Sequence, residues 1–331
     1  MTSNINQKTI GGEQELLSDN LYYGVTNSGR SSLRWAIQSM RLKHKKILVP
    51  DFICQIVIDV LIEQEVNFDF YRVKPDLSIV LNSESLVGID AVYLVRYFGA
   101  QTVSLDHLLA TLTIPFILDD VFGISKPRFD NPCHWFYFNS LRKITAIPDY
   151  SQLISNQPLA RVTVESLASF AQLKYQAKDL KARYLTDGLG DEASYLASFV
   201  AAEHLLDTSQ GIYQPSGRSS MLANTFYRTL DQENLHRQSN LALAKHLLPE
   251  HLYLDVVPEF PSFLPIVLKS RDAVRKQLMQ HQIFLAVHWP QLSMVSNQLS
   301  DYLLSLPLDS RYSKLDIERV CNMIMEYADE C

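Results

Sequence analysis

The sequence predicts an α/β fold: a large domain with a mostly parallel sheet between helices, followed by a smaller C-terminal α+β domain. Three observations predict it. From Lys46 to Leu118, short apolar runs alternate with segments of helical spacing, the pattern of strands joined by crossover helices. From Thr163 to Leu206, strand signals almost vanish and Ala, Leu, Lys and Glu prevail. From Leu252 to Glu330, short strands and helices mix again.

The elements follow in chain order. A polar arm over residues 1–20 comes first, and Asn27-Ser-Gly-Arg-Ser-Ser32 then leads into a helix from Leu33 to Met40. Lys46 to Pro50 reads as a short buried strand, Gln55 to Glu65 as a helix and Asn67 to Val73 as a strand. Ala91 to Tyr97 is a strand ended by Phe98-Gly99, Leu105 to Thr111 a short helix, and Pro115 to Leu118 a strand. A second, aromatic strand around Phe136 precedes Lys143. Beyond Pro158 the pattern changes: the chain reads as helical from Thr163 to Leu206, turns between Gly211 and Gly217, and is helical again from Ser219 to Leu247. The last part offers strands at Leu264–Leu268 and Ile283–Val287, with helices at Arg271–Gln280 and Lys314–Tyr327. The expected division is an arm over 1–20, a large domain over 21–245 containing the helical segment 163–206, and a small domain over 246–331.

Composition narrows the function. The 331 residues carry a net charge of −6, which argues against nucleic acid as a partner. Hydrophobic residues at 47% and charged residues at 20% suit a soluble globular chain. The N-terminus has no apolar signal core, and the most apolar stretch, Ile47 to Ile62, is broken by Asp51, Gln55 and Asp59. A cytoplasmic protein without a membrane span is expected. Cys54, Cys133, Cys321 and Cys331 share no metal-binding spacing and read as free thiols; Cys133-His134 has no partner ligands, so no metal is expected. There is no GxSxG nucleophile turn either.

The chemistry concentrates in two places. Asp119-Asp120 ends the apolar run Ile114 to Leu118, and Lys143 follows the aromatic strand. An aspartate at a strand end can keep a pyridine nitrogen protonated, and a lysine after the next strand can carry an aldehyde as a Schiff base. Each also has a plain reading, Asp120 as a turn residue and Lys143 as a solvated surface lysine. The aromatic and aliphatic neighbours Trp135, Phe136, Phe138, Leu141 and Ile144 favour the edge of a buried strand. Ser28-Gly-Arg-Ser-Ser32 opens a helix and could present N–H groups, hydroxyls and a guanidinium to a phosphate; alternatively Ser31 or Ser32 simply caps that helix.

Together these segments resemble the DegT/DnrJ/StrS sugar aminotransferases, which depend on pyridoxal 5'-phosphate (PLP) and have fold type I. Ser28-Gly-Arg-Ser-Ser-Leu33 is similar to the family's phosphate turn, and Ile47-Leu-Val-Pro-Asp-Phe-Ile-Cys54 to the segment that ends against the cofactor ring. Tyr97-Phe-Gly99, Leu118-Asp-Asp120, Ser140-Leu-Arg-Lys143 with Ile147-Pro-Asp149, His288-Trp-Pro290 and Leu304-Ser-Leu-Pro-Leu-Asp-Ser-Arg-Tyr-Ser313 follow in the family's order. The resemblance implies transfer of an amine, with glutamate as the usual donor, to a nucleotide-linked keto sugar for a cell-surface polysaccharide or glycosylated metabolite. It implies a homodimer with active sites at the subunit interface. Lys143 would be the catalytic lysine and Asp120 the partner of the pyridine nitrogen. Ser28, Gly29, Arg30 and Ser140 would hold the phosphate, and Cys54 or Phe52 would lie over the ring.

The chain departs from the family pattern at three points. Gly123 stands where the family has His or Gln, Tyr150-Ser151 replaces a Gly-Gly pair, and the GxNxR loop is missing, with Tyr213 or Arg218 as possible substitutes. Shifting the alignment by one residue would put Arg142 at the lysine position, but a guanidinium cannot form the imine. The departures also leave open a second reading: a catalytically weakened relative that binds a sugar nucleotide or a partner without transamination.

Overall fold

The computed structural model describes residues 12–13 and 19–330. The expected arm over 1–20 and Cys331 therefore lie largely or wholly outside the described residues. Ordered elements begin with β1 (Tyr22–Thr26), α1 (Gly29–Met40), β2 (Lys46–Pro50), α2 (Gln55–Glu63), β3 (Asn67–Tyr71) and β4 (Ala91–Val95). They continue through α3 (Val103–Thr111), β5 (Phe116–Asp120), β6 (Trp135–Asn139), β7 (Ser151–Ser155) and β8 (Val164–Ser166). Next come α4 (Ala168–Asp187), α5 (Glu192–Asp207), β9 (Ile212–Gln214), α6 (Gly217–Arg228) and α7 (Leu230–Leu247). The chain ends with β10 (Phe263–Val267), α8 (Arg271–Gln280), α9 (Leu299–Tyr302), β11 (Leu303–Pro307) and α10 (Lys314–Glu330).

Seven strands form the central sheet in the order β1-β7-β6-β5-β4-β2-β3. The five from β6 to β3 run parallel, while β7 pairs antiparallel with both β6 and β1. Strands β4, β5 and β6 are buried along their whole length, which explains their near-continuous apolar sequences. A second buried cluster joins α7, β10, α8, β11 and α10 through residues such as Leu241, Ile266, Leu278, Leu304 and Ile324. Asn297 crosses from the C-terminal part to the main sheet, donating from Nδ2 to Asp51 Oδ1 at 2.7 Å and to the Val73 carbonyl at 3.0 Å.

The mostly parallel α/β architecture is as the sequence predicts, and the differences have local causes. β1 at the sheet edge and β7 beside it mix buried with more exposed positions and hold no long apolar run, so a search for apolar runs passes over them. The helix expected from Ser219 to Leu247 is broken at Thr229, whose hydroxyl bonds back to the carbonyls of Thr225 and Phe226. Residues 283–287 do not form a strand. They make one antiparallel bridge, Ala286 to Ser305, because left-handed backbone at Gln282 (φ 60°) and Trp289 (φ 52°) turns the chain away on both sides.

Candidate active site

A cavity of about 150 Å³ opens at the carboxyl ends of β4, β5 and β6, where open α/β sheets bind ligands. Helix α1 enters it end-on. Gly29 makes this approach possible: a Cβ there would lie 3.2 Å from Phe138 and 3.5 Å from Val121. Ser28 caps the helix by accepting from the Ser31 amide, and its hydroxyl donates to Asn27 Oδ1 at 2.8 Å. Ser31 and Ser32 do not cap. The Ser31 hydroxyl also donates to Asn27, and Ser32 Oγ lies 2.8 Å from both Thr26 Oγ1 and Ser151 Oγ.

Arginines flank this helix end. Arg30 Nη2 is 2.6 Å from Asp207, while its Nη1 is buried and has no hydrogen-bond partner in the structure. Arg142 lines the same cavity and reaches Glu203 at 2.6 Å, and Lys174 binds the same carboxylate. Burial pushes the Glu203 carboxyl up, but Arg142 and Lys174 more than reverse this and bring its pKa down to about 2. Both acids lie on α5, one helical turn apart.

The two aspartates at the end of β5 face opposite sides of the sheet, as adjacent strand residues must. Asp119 faces the cavity. Its Oδ2 accepts from the Tyr93 hydroxyl at 2.6 Å and its Oδ1 from the Val121 amide at 3.1 Å. Burial lifts its pKa to about 6, and those two bonds and Lys143 hold it from rising further. Asp120 points the other way, into a closed pair with buried Arg96 (Nη1 to Oδ2, 3.0 Å), and is not part of the cavity wall. Its carboxylate lies over Gly123, where a Cβ would come within 1.9 Å of Oδ2. Gly123 is thus required by Asp120, and the position three residues after the cavity-facing Asp119 is Phe122.

Lys143 ends a 3₁₀ turn, Leu141–Lys143, just after β6 and extends into the cavity. It keeps contact with solvent through the opening. Burial, and then the adjacent Arg142 guanidinium, lower its pKa, so its amine gives up a proton more readily than a surface lysine. The turn is anchored on both sides: the Leu141 amide donates to the Tyr150 carbonyl at 2.9 Å, and the Ser151 hydroxyl to the Asn139 carbonyl at 2.5 Å. Tyr150-Ser151 is accommodated as the entry to β7.

The far wall comes from the C-terminal part, where His288 and Trp289 line the cavity. Trp289 packs with Phe52, Tyr97, Phe98 and Phe122 at centroid distances of 5.1–5.4 Å. Phe98, like Trp289, has a positive φ, so two strained residues meet at this rim. The His288 ring stacks edge-on against Phe122 at 4.8 Å, and its Nδ1 is 2.6 Å from Ser305 Oγ. Burial and the nearby Lys143 lower the His288 pKa to about 3, which keeps the imidazole neutral.

Of the residues singled out in the sequence, the cavity gathers Ser28, Gly29, Arg30, Cys54, Ser140 and Lys143. It does not gather Asp120 or Phe52, which is fully buried behind Tyr97 and Trp289. Tyr213 and Arg218 lie outside it too; Arg218 stacks over Tyr175 at 4.1 Å. Sequence reasoning named Asp119 and His288 within their segments without giving either a site role, and it passed over Tyr93. For Tyr93 a signal existed: it is the single polar tip in the otherwise aliphatic strand Ala91–Val95.

No protein-family model matches the sequence, and no curated protein does. Solved structures do. PseC of Helicobacter pylori, an aminotransferase involved in the biosynthesis of pseudoaminic acid, aligns over 94% of this chain and 87% of its own, with a TM-score of 0.65 and 13% identity. The aminotransferase TlmJ from Streptoalloteichus hindustanus gives 0.62 over 91% and 84%, with 14% identity. A DegT DnrJ EryC1 StrS aminotransferase from Brucella abortus gives 0.59 over 93% and 86%, with 14% identity. The fold is that of the PLP-dependent aminotransferases. At this identity the likeness speaks for the fold, and the chemistry rests on the residues in the cavity.

Three observations test whether those residues fit PLP. The helix end with Gly29 and the unpartnered Arg30 Nη1 suits a phosphate. The buried carboxylate of Asp119 suits a ring nitrogen, and the amine of Lys143, with its lowered pKa, suits an aldehyde. They fit.

Proposed function

We propose that the protein is a PLP-dependent aminotransferase acting on a nucleotide-linked keto sugar, with glutamate as the amine donor. The observation that carries this reading is the convergence of Lys143, Asp119 and the α1 N-terminus on one cavity. When bound, the cofactor supplies an aldehyde for amine exchange and a ring that takes up an electron pair. The amides of α1, Ser28, Ser140 and Arg30 would hold its phosphate. Asp119, rather than Asp120, would face the ring nitrogen, and Val121 and Cys54 line the cavity where the ring would lie. Lys143 Nζ, whose pKa burial and Arg142 lower, would hold the cofactor's aldehyde and, once freed by the donor amine, would carry the proton that amine exchange moves at the reacting carbon. His288 and Trp289 would shape the sugar end of the cavity and exclude water.

The closeness of this fold to PseC supports a sugar as the acceptor, and a dimer that closes the cavity mouth belongs to the same reading. The test is a visible absorption spectrum of purified protein with added PLP, before and after glutamate. A yellow band that glutamate bleaches, and that Lys143→Ala lacks, is the expected result. A band that persists unchanged in Lys143→Ala would remove Lys143 from its role. PLP binding without any response to glutamate or other amino donors would favour the weakened, binding-only relative.

A further inference from the structure

We propose that Tyr93 is a positioning residue of this site: its phenol holds Asp119 Oδ2 so that the carboxylate turns toward a pyridine nitrogen in the cavity. The inference rests on reading the cavity as a PLP site, and it adds a residue for which nothing else in the chain assigns a role.

The geometry follows from the sheet. Tyr93 on β4 is in register with Ile117 on β5, two residues before Asp119 and on the same face. A diagonal neighbour two residues along lies within reach of a long aromatic side chain and out of reach of the aliphatic residues that fill the rest of β4. The phenol closes that distance at 2.6 Å. The ring is fully buried, and the Tyr71 hydroxyl donates to the Tyr93 carbonyl at 2.9 Å, pinning the backbone from the β3 side. Asp119 therefore has one fixed donor on each oxygen, Tyr93 on Oδ2 and the Val121 amide on Oδ1. Only the Tyr93 bond can be removed by substitution. Burial holds the phenol far from ionising, so it remains a donor at every accessible pH. A bond donated to a carboxylate favours its ionised form, and an ionised carboxylate is what a protonated ring nitrogen needs.

The experiment is equilibrium binding of PLP to the apo protein from pH 6 to 9, followed by absorbance. It compares wild type, Tyr93→Phe, Asp119→Asn and the double variant, with melting curves as a folding control. A second ligand, the PLP analogue with carbon in place of the ring nitrogen, is titrated in parallel. Losing the phenol should raise the pH at which Asp119 ionises by about one unit, so Tyr93→Phe should bind PLP about fivefold more weakly at pH 6 and about threefold near pH 6.5, with the gap closing by pH 8.5. The same substitution should cost nothing in the Asp119→Asn background and nothing toward the analogue. An equal loss toward the analogue, or in the Asp119→Asn background, would show that Tyr93 only packs and would overturn the proposal. Wild-type affinity in Tyr93→Phe at all pH values would also overturn it. Failure of wild type to bind either compound would overturn the PLP reading of the cavity and this inference together.

Discussion

The two faces of the sheet at the end of β5 solve the same problem differently. Each receives one of two adjacent carboxylates, both almost without solvent contact. On the Asp120 face Arg96 pairs with Oδ2 while Oδ1 has no hydrogen-bond partner, the glycine beneath leaves room for the carboxylate, and the Tyr137 hydroxyl approaches the same group. On the Asp119 face no cation forms an ion pair with the carboxylate among the described residues; neutral donors hold it, and it opens onto a cavity. A closed ion pair is a structural device, whereas a carboxylate left with neutral partners is waiting for a cation from outside. On this contrast rests the proposed difference in role between two residues of identical chemistry.

The largest effect is expected on the closed face. Arg96→Met should leave Asp120 buried and unpaired and cost about 3–5 kcal/mol in urea unfolding, while Arg96→Met with Asp120→Leu recovers most of the loss. A single substitution with little effect would mean the pair is not closed in solution. Gly123→Ala comes next, at about 1–3 kcal/mol, because its Cβ must displace a carboxylate that Arg96 holds in place.

Titration has the same sign on both faces: burial lifts Asp120 to about 7 even beside Arg96, and it lifts Asp119 as well. The pKa of Asp119 is raised to about 6, so the folded apo protein holds that proton more tightly than the unfolded chain does. Its contribution to apo stability is therefore favourable below about pH 4 and lost as pH rises through 6. Asp119→Asn should raise the apo melting temperature at pH 7.5 by about 2–4 °C, and a fall of that size would contradict the account. Glu203, nearer the surface, has the reverse sign. Its pKa is lowered to about 2, so its stabilisation is present above pH 4.5 and lost as pH falls toward 2. Glu203→Gln should lower the melting temperature by about 1–3 °C at pH 6, with the gap shrinking between pH 4.5 and 2; a gap independent of pH would point to packing instead.

Much of this was legible in the sequence. Apolar runs gave β2, β4 and β5, helical spacing gave α8 to the residue, and flanking segments singled out Lys143 and Ser28-Gly29-Arg30, which line the cavity. What the sequence could not decide was which of two adjacent aspartates faces the cavity. One residue of register reverses a strand's faces, and the side that Arg96 occupies is set by pairing across β4 and β5. His288 was hidden for a related reason: its place beside Lys143 depends on a chain bend at Trp289. Strands rich in serine, such as β7, carry too little apolar signal to be seen alone.

The most direct test of the central claim is a PLP titration of wild type, Asp119→Asn and Asp120→Asn at pH 7.5, with melting curves for all three. The account predicts that Asp119→Asn binds PLP at least about tenfold more weakly while its fold is as stable as wild type or more so. Asp120→Asn should melt lower yet bind PLP with near wild-type affinity at a temperature where it is folded. The reverse pattern, with PLP affinity lost in Asp120→Asn and kept in Asp119→Asn, would contradict the assignment of the two faces.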